Sequence, residues 1–107
     1  MATVIWTRKA QTAKRQLYLD GQLKFGARVA KKTAQIIEKI QKNLELFPFM
    51  GFREPILEER SPIFRACLIN KRYKIIYWYN EVNDMVVIED IWDTRRAPQN
   101  LKKRIKE

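Results

Sequence analysis

The second half of the chain contains three strand-forming runs separated by very short polar turns. Apolar, β-branched and aromatic residues dominate residues 63–69, 73–79 and 85–92. The intervening turns, at residues 70–72 and 80–84, are too short for a crossover connection. The three strands must therefore form an antiparallel meander, which restricts the fold more than any other feature.

Two helical segments precede this meander. A short strand is predicted at residues 3–6, with Thr7 as the N-cap of a first helix whose pattern stops at the turn dipeptide Asp20-Gly21. In the second segment, apolar side chains recur every three or four positions from Val29 to Phe47, and Pro48 follows. The short connection predicts an antiparallel helical hairpin.

The remaining segments complete an α+β order, β-α-α-β-β-β-α. Three prolines and a glycine predict a loop over residues 48–62, and Pro98 is expected in the first turn of a C-terminal helix. We expect the hairpin to pack on one face of a mainly antiparallel sheet, with the other face at least partly open. With 107 residues, the chain is expected to form one domain over residues 1–107.

Charge and composition restrict the chemistry. The formal net charge is +10, from 22 Lys and Arg against 12 Asp and Glu, and residues 1–47 alone hold ten basic and three acidic side chains. Such a field attracts polyanions and acidic proteins, although solubility alone is an alternative explanation. The chain has no histidine and one cysteine, which excludes a disulfide framework, His-based catalysis and a cysteine-rich zinc site.

We expect neither a metal nor a cofactor. The N-terminus turns polar by its seventh residue, and no apolar run approaches the roughly 20 residues that a membrane-spanning helix needs. The sequence therefore predicts a soluble, cytoplasmic protein without membrane contact.

Several strand residues have both a structural and a functional interpretation. Arg65 shares a strand face with apolar residues, so it either pairs with an acid such as Glu89 or Asp90 or faces outward. Alternation places Glu89 and Asp90 on opposite faces. Cys67 is expected to be buried and inert. An aromatic row is either core or a surface that stacks nucleic-acid bases, and it comprises Tyr73, Tyr77 and Tyr79.

Charged residues gather after the last strand. Asp93 and Thr94 suit a turn, whereas Arg95 and Arg96 have no apolar reason to be there. These arginines either form salt bridges with Glu89, Asp90 or Asp93, or contact a partner. The basic residues of the C-terminal helix are either its solvated end or a surface for an acidic partner, and they are Lys102, Lys103, Arg104 and Lys106.

The order of these features resembles toxins of the RelE/ParE superfamily from type II toxin–antitoxin modules. Leu44, Pro48 and Gly51 match the family's L-x-x-x-P-x-x-G at the end of its second helix, followed by the strand arginine Arg65. The resemblance continues through KRYKIIYWY and IEDIWDTRRAPQNL, and it covers the chain from Val4 to about Leu101.

This resemblance implies a ParE-like toxin that poisons DNA gyrase and is neutralised by a cognate antitoxin. In the family the antitoxin is small, often acidic or partly disordered, and it supplies the contact with operator DNA. The residues predicted to contact the target or the antitoxin are Arg65, Tyr77, Arg95, Arg96, Lys102 and Lys103.

RelE-like relatives instead cut mRNA in the ribosome without a metal, which gives an alternative function. The basic positions of such an endoribonuclease are matched by Arg65, Lys74 and Arg95 or Arg96, while Cys67 stands where a second basic residue is common. No tyrosine follows Tyr79 and no histidine is present, so Lys74 or Asp93 would have to accept the proton. A degenerate toxin that acts only as an antitoxin-binding regulatory module is the third alternative.

Overall fold

A computed structural model describes residues 1–105 of the chain. It contains a five-stranded sheet, three α-helices and one 3-10 turn. None of the helices within this range is long and apolar enough to cross a membrane. The elements in chain order are β1 (Thr3–Trp6), α1 (Arg8–Phe25), α2 (Ala27–Leu46), β2 (Phe52–Arg53), the 3-10 turn (Pro55–Leu57), β3 (Phe64–Leu68), β4 (Tyr73–Asn80), β5 (Met85–Asp93) and α3 (Pro98–Arg104).

The sheet has the strand order β1-β5-β4-β3-β2. Antiparallel pairing of β3, β4 and β5 confirms the predicted meander, and β1 joins it parallel to β5. The prediction of an irregular loop over residues 48–62 is wrong in part. Phe52–Arg53 pairs with β3 as an edge strand, and Pro55–Leu57 forms the 3-10 turn. A two-residue strand is too short for alternation to reveal it.

The helical hairpin is confirmed, but its turn lies at Gly26 and not at Asp20-Gly21. Helix α1 continues through Gly21 because its neighbours favour helix and Gln16 donates to the Asp20 carboxylate one turn later, at 2.9 Å. Gly26 has a φ of 90°, a conformation that glycine adopts without strain. The Thr7 hydroxyl accepts from the Ala10 N–H, which confirms the predicted N-cap.

Buried clusters lie on both faces of the sheet. The hairpin packs on the first face around a buried cluster that includes Ala10, Ile37, Ile40, Leu44, Ile75, Tyr77, Val86 and Ile88. The prediction that the second face stays partly open is confirmed, because α3 and the 3-10 turn bury its centre while Ile5 and Leu68 remain 40% and 58% exposed. The cluster there contains Leu57, Phe64, Ala66, Ile76, Trp92, Leu101 and Ile105.

A β-bulge interrupts the pairing of β4 with β5. Ile76 pairs with Asp90 and Tyr77 pairs with Ile88, so Glu89 has no partner in the register. The extra residue brings both acidic side chains to the second face, where Glu89 accepts from Trp78 and Asp90 accepts from Arg104. The prediction that Glu89 and Asp90 alternate between faces is therefore wrong.

Candidate functional site

A groove lies between α1 and the ends of β4 and β5, and we call it the basic groove. Its volume is about 720 Å³. Two acidic side chains, Asp20 and Asp93, also line it, and Ala13, Leu17 and Ile91 supply apolar surface. The cationic side chains that line it among residues 1–105 are those of Arg8, Lys9, Arg96 and Arg104.

The cations of the basic groove differ in their partners. Arg104 binds the fully buried Asp90 carboxylate with two N–H groups, at 2.6 and 3.0 Å, and this bond raises the pKa of the Arg104 guanidinium. The Arg96 guanidinium lies 4.9 Å from the centre of the Trp92 ring. Lys9 donates to the Arg104 carbonyl and ties α1 to α3. Within residues 1–105, Arg8 and Arg96 form no ion pair.

The structural interpretation predicts salt bridges for both Arg95 and Arg96, and within residues 1–105 it is confirmed for Arg95 alone, which pairs with Asp93. Its Nη2 lies 3.0 Å from Asp93 Oδ2 and its Nε lies 3.2 Å from Oδ1. The hydrogen bond from Arg95 holds the pKa of Asp93 below its usual value. Asp93 is consequently a weak proton acceptor, and much of the Arg95 charge is compensated locally.

A second groove, which we call the Arg65 groove, lies at the other end of β4 and has a volume of about 370 Å³. Its lining includes the Arg65 side chain and three exposed apolar side chains, those of Phe49, Ile63 and Val82. Arg65 Nη1 donates to the Gly51 carbonyl at 2.9 Å and approaches the Phe49 carbonyl at 3.5 Å. Arg65 therefore binds loop carbonyls, and the predicted pairing with Glu89 or Asp90 is wrong.

The structure buries Tyr77 beneath the loop that follows α2. Its hydroxyl donates to the Pro48 carbonyl at 2.9 Å and accepts from the Gly51 N–H at 2.9 Å. Burial raises the pKa of this phenol to about 12. With an exposed fraction of 0%, Tyr77 presents no surface to a partner and instead holds the loop that binds Arg65.

Lys74 lies on the opposite face of the sheet from Arg65. Its ammonium is 2.7 Å from Glu54 Oε2, and both side chains are buried. An ion-paired, buried ammonium is poorly placed to accept a proton from a substrate. The second carboxylate oxygen, Glu54 Oε1, has no hydrogen-bond partner within residues 1–105.

The basic residues of the C-terminal helix differ in their exposure and in their partners. Lys102 and Lys103 are exposed, as predicted for a solvated helix end. Arg104 is not part of that end, because it is half-buried and paired with Asp90. Lys106 lies outside the described residues. No group of three or more metal-ligating side chains occurs in the part of the chain that the structure describes.

The chain resembles a known protein in its fold. No family model and no curated protein matches the sequence. Among solved structures, a chain of the chromosomal ParDE TA system from P. aeruginosa superposes with a TM-score of 0.68 at 21% identity. The match covers 87% of this chain and 96% of that chain. This chain has the RelE/ParE-like fold.

Within this RelE/ParE-like fold, the basic residues of the endoribonuclease alternative do not meet. Arg96 lines the basic groove, Arg65 lines the Arg65 groove, and Lys74 is buried on the other face. Cys67, at the remaining position, is buried as predicted, and burial raises the pKa of its thiol to about 11. The arrangement suits binding better than cleavage of a phosphodiester.

Reasoning from the sequence missed the contribution of α1 to the basic groove. Arg8 and Lys9 begin α1 one residue after the end of β1, and β1 runs parallel to β5, which leads into Arg95 and Arg96. Carboxyl ends of parallel strands lie toward the same edge of a sheet, so this pairing was the signal that could have brought the two basic segments together. The parallel pairing itself requires the tertiary fold.

Proposed function

We propose that the chain is the toxin of a type II toxin–antitoxin module, ParE-like, acting over residues 1–107 as one cytoplasmic domain. In this proposal it inhibits growth by binding DNA gyrase, and a cognate antitoxin neutralises it and supplies any contact with operator DNA. The observation that carries the proposal is the likeness to a chain of a ParDE TA system, which extends over 87% of this chain.

The side chains favour inhibition by binding. Cleavage of RNA needs a group that accepts the 2′-hydroxyl proton, and the two candidates are Lys74 and Asp93. Lys74 is paired with Glu54 in the interior, and the pKa of Asp93 is lowered by Arg95. Arginine stays protonated and cannot replace them. The ribosome-dependent endoribonuclease is therefore the weaker candidate.

The basic groove is the surface that we assign to the target. Within residues 1–105, Arg8 and Arg96 form no ion pair, and they lie next to the apolar surface of Leu17 and Ile91. Such a combination binds an acidic protein surface that also presents apolar side chains. The net charge of +10 speeds the encounter with such a partner.

The test is a supercoiling assay with purified gyrase and the purified chain. Loss of supercoiling at stoichiometric toxin is the expected result, and unaffected gyrase at a large excess of toxin would refute the target. Ribosome-dependent mRNA cleavage, measured in parallel, decides for the endoribonuclease. Overproduction in a bacterial host without growth arrest would instead favour the degenerate regulatory module.

A further inference from the structure

The Arg65 groove combines exposed apolar side chains with one cation, and the mechanism proposed above does not use it. Phe49, Ile63 and Val82 are 53%, 48% and 93% exposed. Large apolar side chains that cluster in water beside polar residues mark interaction sites on soluble proteins. A volume of about 370 Å³ lies within the usual range of ligand pockets.

Arg65 is held in place and still has free donors. Its Nη1 binds the carbonyls of Gly51 and Phe49, and its guanidinium lies 5.3 Å from the centre of the Phe49 ring. Its Nε and Nη2 form no hydrogen bond within residues 1–105. A guanidinium presents donors in a planar fork that matches a carboxylate. Because it is already fixed, little conformational entropy is lost when a carboxylate binds.

The charges around the groove select among possible ligands. Glu81 also lines the groove, and Asp84 lies nearby, where it accepts from the Tyr79 hydroxyl at 2.6 Å. One cation beside acidic groups disfavours a polyanion such as nucleic acid. A second copy of this chain carries the same charge of +10 and is repelled. A peptide with a single carboxylate next to a large apolar side chain satisfies both the cation and the apolar lining.

We propose that the Arg65 groove binds an antitoxin segment in which an Asp or Glu stands beside a large apolar residue. The carboxylate pairs with the Arg65 Nε and Nη2 groups, and the apolar side chain covers Phe49, Ile63 and Val82. This assignment rests on the proposed function, because it takes the partner to be an antitoxin. It also separates the antitoxin contact at this groove from the target contact at the basic groove.

The test begins with selection of short random peptides on the purified full chain. Enriched sequences are expected to place Asp or Glu next to Leu, Ile, Phe or Trp. One synthetic peptide from this selection is then titrated by fluorescence anisotropy against the wild-type chain, Arg65→Gln and Val82→Asp. Each substitution is expected to weaken binding by about tenfold, the first through loss of a charge-assisted pair and the second through a repelled carboxylate.

Two controls make the result specific. Arg65→Gln keeps an N–H for the loop carbonyls, and Val82 is so exposed that Val82→Asp leaves the fold intact. Leu23→Glu introduces the same charge at a residue that is 85% exposed at the far end of α1, and it is expected to leave peptide affinity unchanged. Replacing the acid of the peptide by its amide should weaken binding to the wild-type chain but not further weaken binding to Arg65→Gln.

Peptides without acidic residues, failure to select any peptide, or equal losses in Leu23→Glu and Val82→Asp would overturn the assignment. The supercoiling assay needs no peptide, so the two proposals fail separately. If gyrase is inhibited while no peptide binds, the groove assignment falls and the toxin stands. If the peptides bind as expected while gyrase is unaffected, the binding of an acidic, apolar segment at the groove stands and gyrase falls as the target.

Discussion

At the scale of single residues, the partner of each arginine decides what its charge can do. Arg104 neutralises a buried carboxylate, Arg95 is compensated by Asp93, and Arg65 is anchored by loop carbonyls that leave its remaining donors unused. Arg96 stacks on Trp92 and forms no ion pair with any other described residue. Only Arg65 and Arg96 among these four keep a charge that a partner could compensate.

The Asp90 carboxylate should depend on Arg104 for its stability in the interior. In Arg104→Leu, a fully buried carboxylate retains only the Ile91 N–H as donor within residues 1–105. Removing one partner of a buried pair typically costs ~3–5 kcal/mol, and we expect about 2 kcal/mol here because solvent reaches Arg104. Urea denaturation measures the loss in the free energy of unfolding.

The exposed Lys103 offers a matched control on the same helix. Lys103→Leu should change the free energy of unfolding by less than about 0.5 kcal/mol. The double variant Asp90→Asn, Arg104→Leu should recover part of the loss, because no buried charge remains. Equal destabilisation by Lys103→Leu would show that helix packing and not the carboxylate is responsible.

Cys67 should resist alkylation in the folded chain. Burial raises the pKa of its thiol to about 11 from a reference value of 9.0, which lowers the fraction of thiolate by roughly 100-fold at neutral pH. The rate of modification by iodoacetamide is therefore expected to rise by at least that factor on addition of denaturant. A rate that hardly changes on unfolding would contradict the burial of this side chain.

At the scale of elements, the sequence predicts those helices, strands and caps whose formation depends on residues close together in the chain. The meander, the second helix, the Thr7 cap and the entry of Pro98 into the last helix all follow from spacing and capping. The β-bulge at Glu89, the edge strand Phe52–Arg53 and the parallel β1 do not, because tertiary packing decides each of them. The β-bulge is the reason that the predicted faces of Glu89 and Asp90 are wrong, and the edge strand is the reason that the predicted loop over residues 48–62 is wrong in part.

The same limit explains why the candidate sites were only partly anticipated. The charge cluster after β5 is visible in the sequence, and Arg96 does line a groove. That Tyr77 lies beneath a loop depends on packing of the loop after α2. That Arg65 and Lys74 lie on opposite faces depends on the register in which β3 pairs with β4. The contact roles assigned to Lys102 and Lys103 stay predictions.

The two glycines of the hairpin should respond in opposite ways to alanine. Gly26→Ala is expected to lower the free energy of unfolding by about 1–2 kcal/mol, because an L-residue is strained at a φ of 90°. Gly21→Ala is expected to raise it by roughly 0.5–1 kcal/mol, because Gly21 lies inside α1 and an added Cβ meets nothing within 4 Å. Thermal unfolding compares the two, and destabilisation by Gly21→Ala would argue for a turn at Asp20-Gly21.

At the scale of the whole molecule, two grooves of different composition lie at opposite ends of β4. The basic groove lies where α1, β5 and α3 approach each other, and the Arg65 groove lies where the loop after α2 meets the β4–β5 turn. The net charge of +10 acts on any acidic partner at long range, whereas the two grooves decide where such a partner docks. The effect of a charge inside a groove can therefore be distinguished from the effect of net charge by comparing two variants of equal net charge.

Arg8→Glu should weaken inhibition of gyrase by about tenfold in the supercoiling assay, because it reverses a charge in the basic groove that forms no ion pair in the described part of the chain. An acid in the first turn of α1 is favourable for the helix, so the fold should be kept. Lys31→Glu makes the same change in net charge on the exposed surface of α2 and should alter inhibition by no more than about twofold. Added salt should weaken the wild type more than Arg8→Glu, because screening acts on the attraction that the variant has lost. Equal losses in the two variants would mean that only net charge matters, and no loss in Arg8→Glu would remove the basic groove as the target surface.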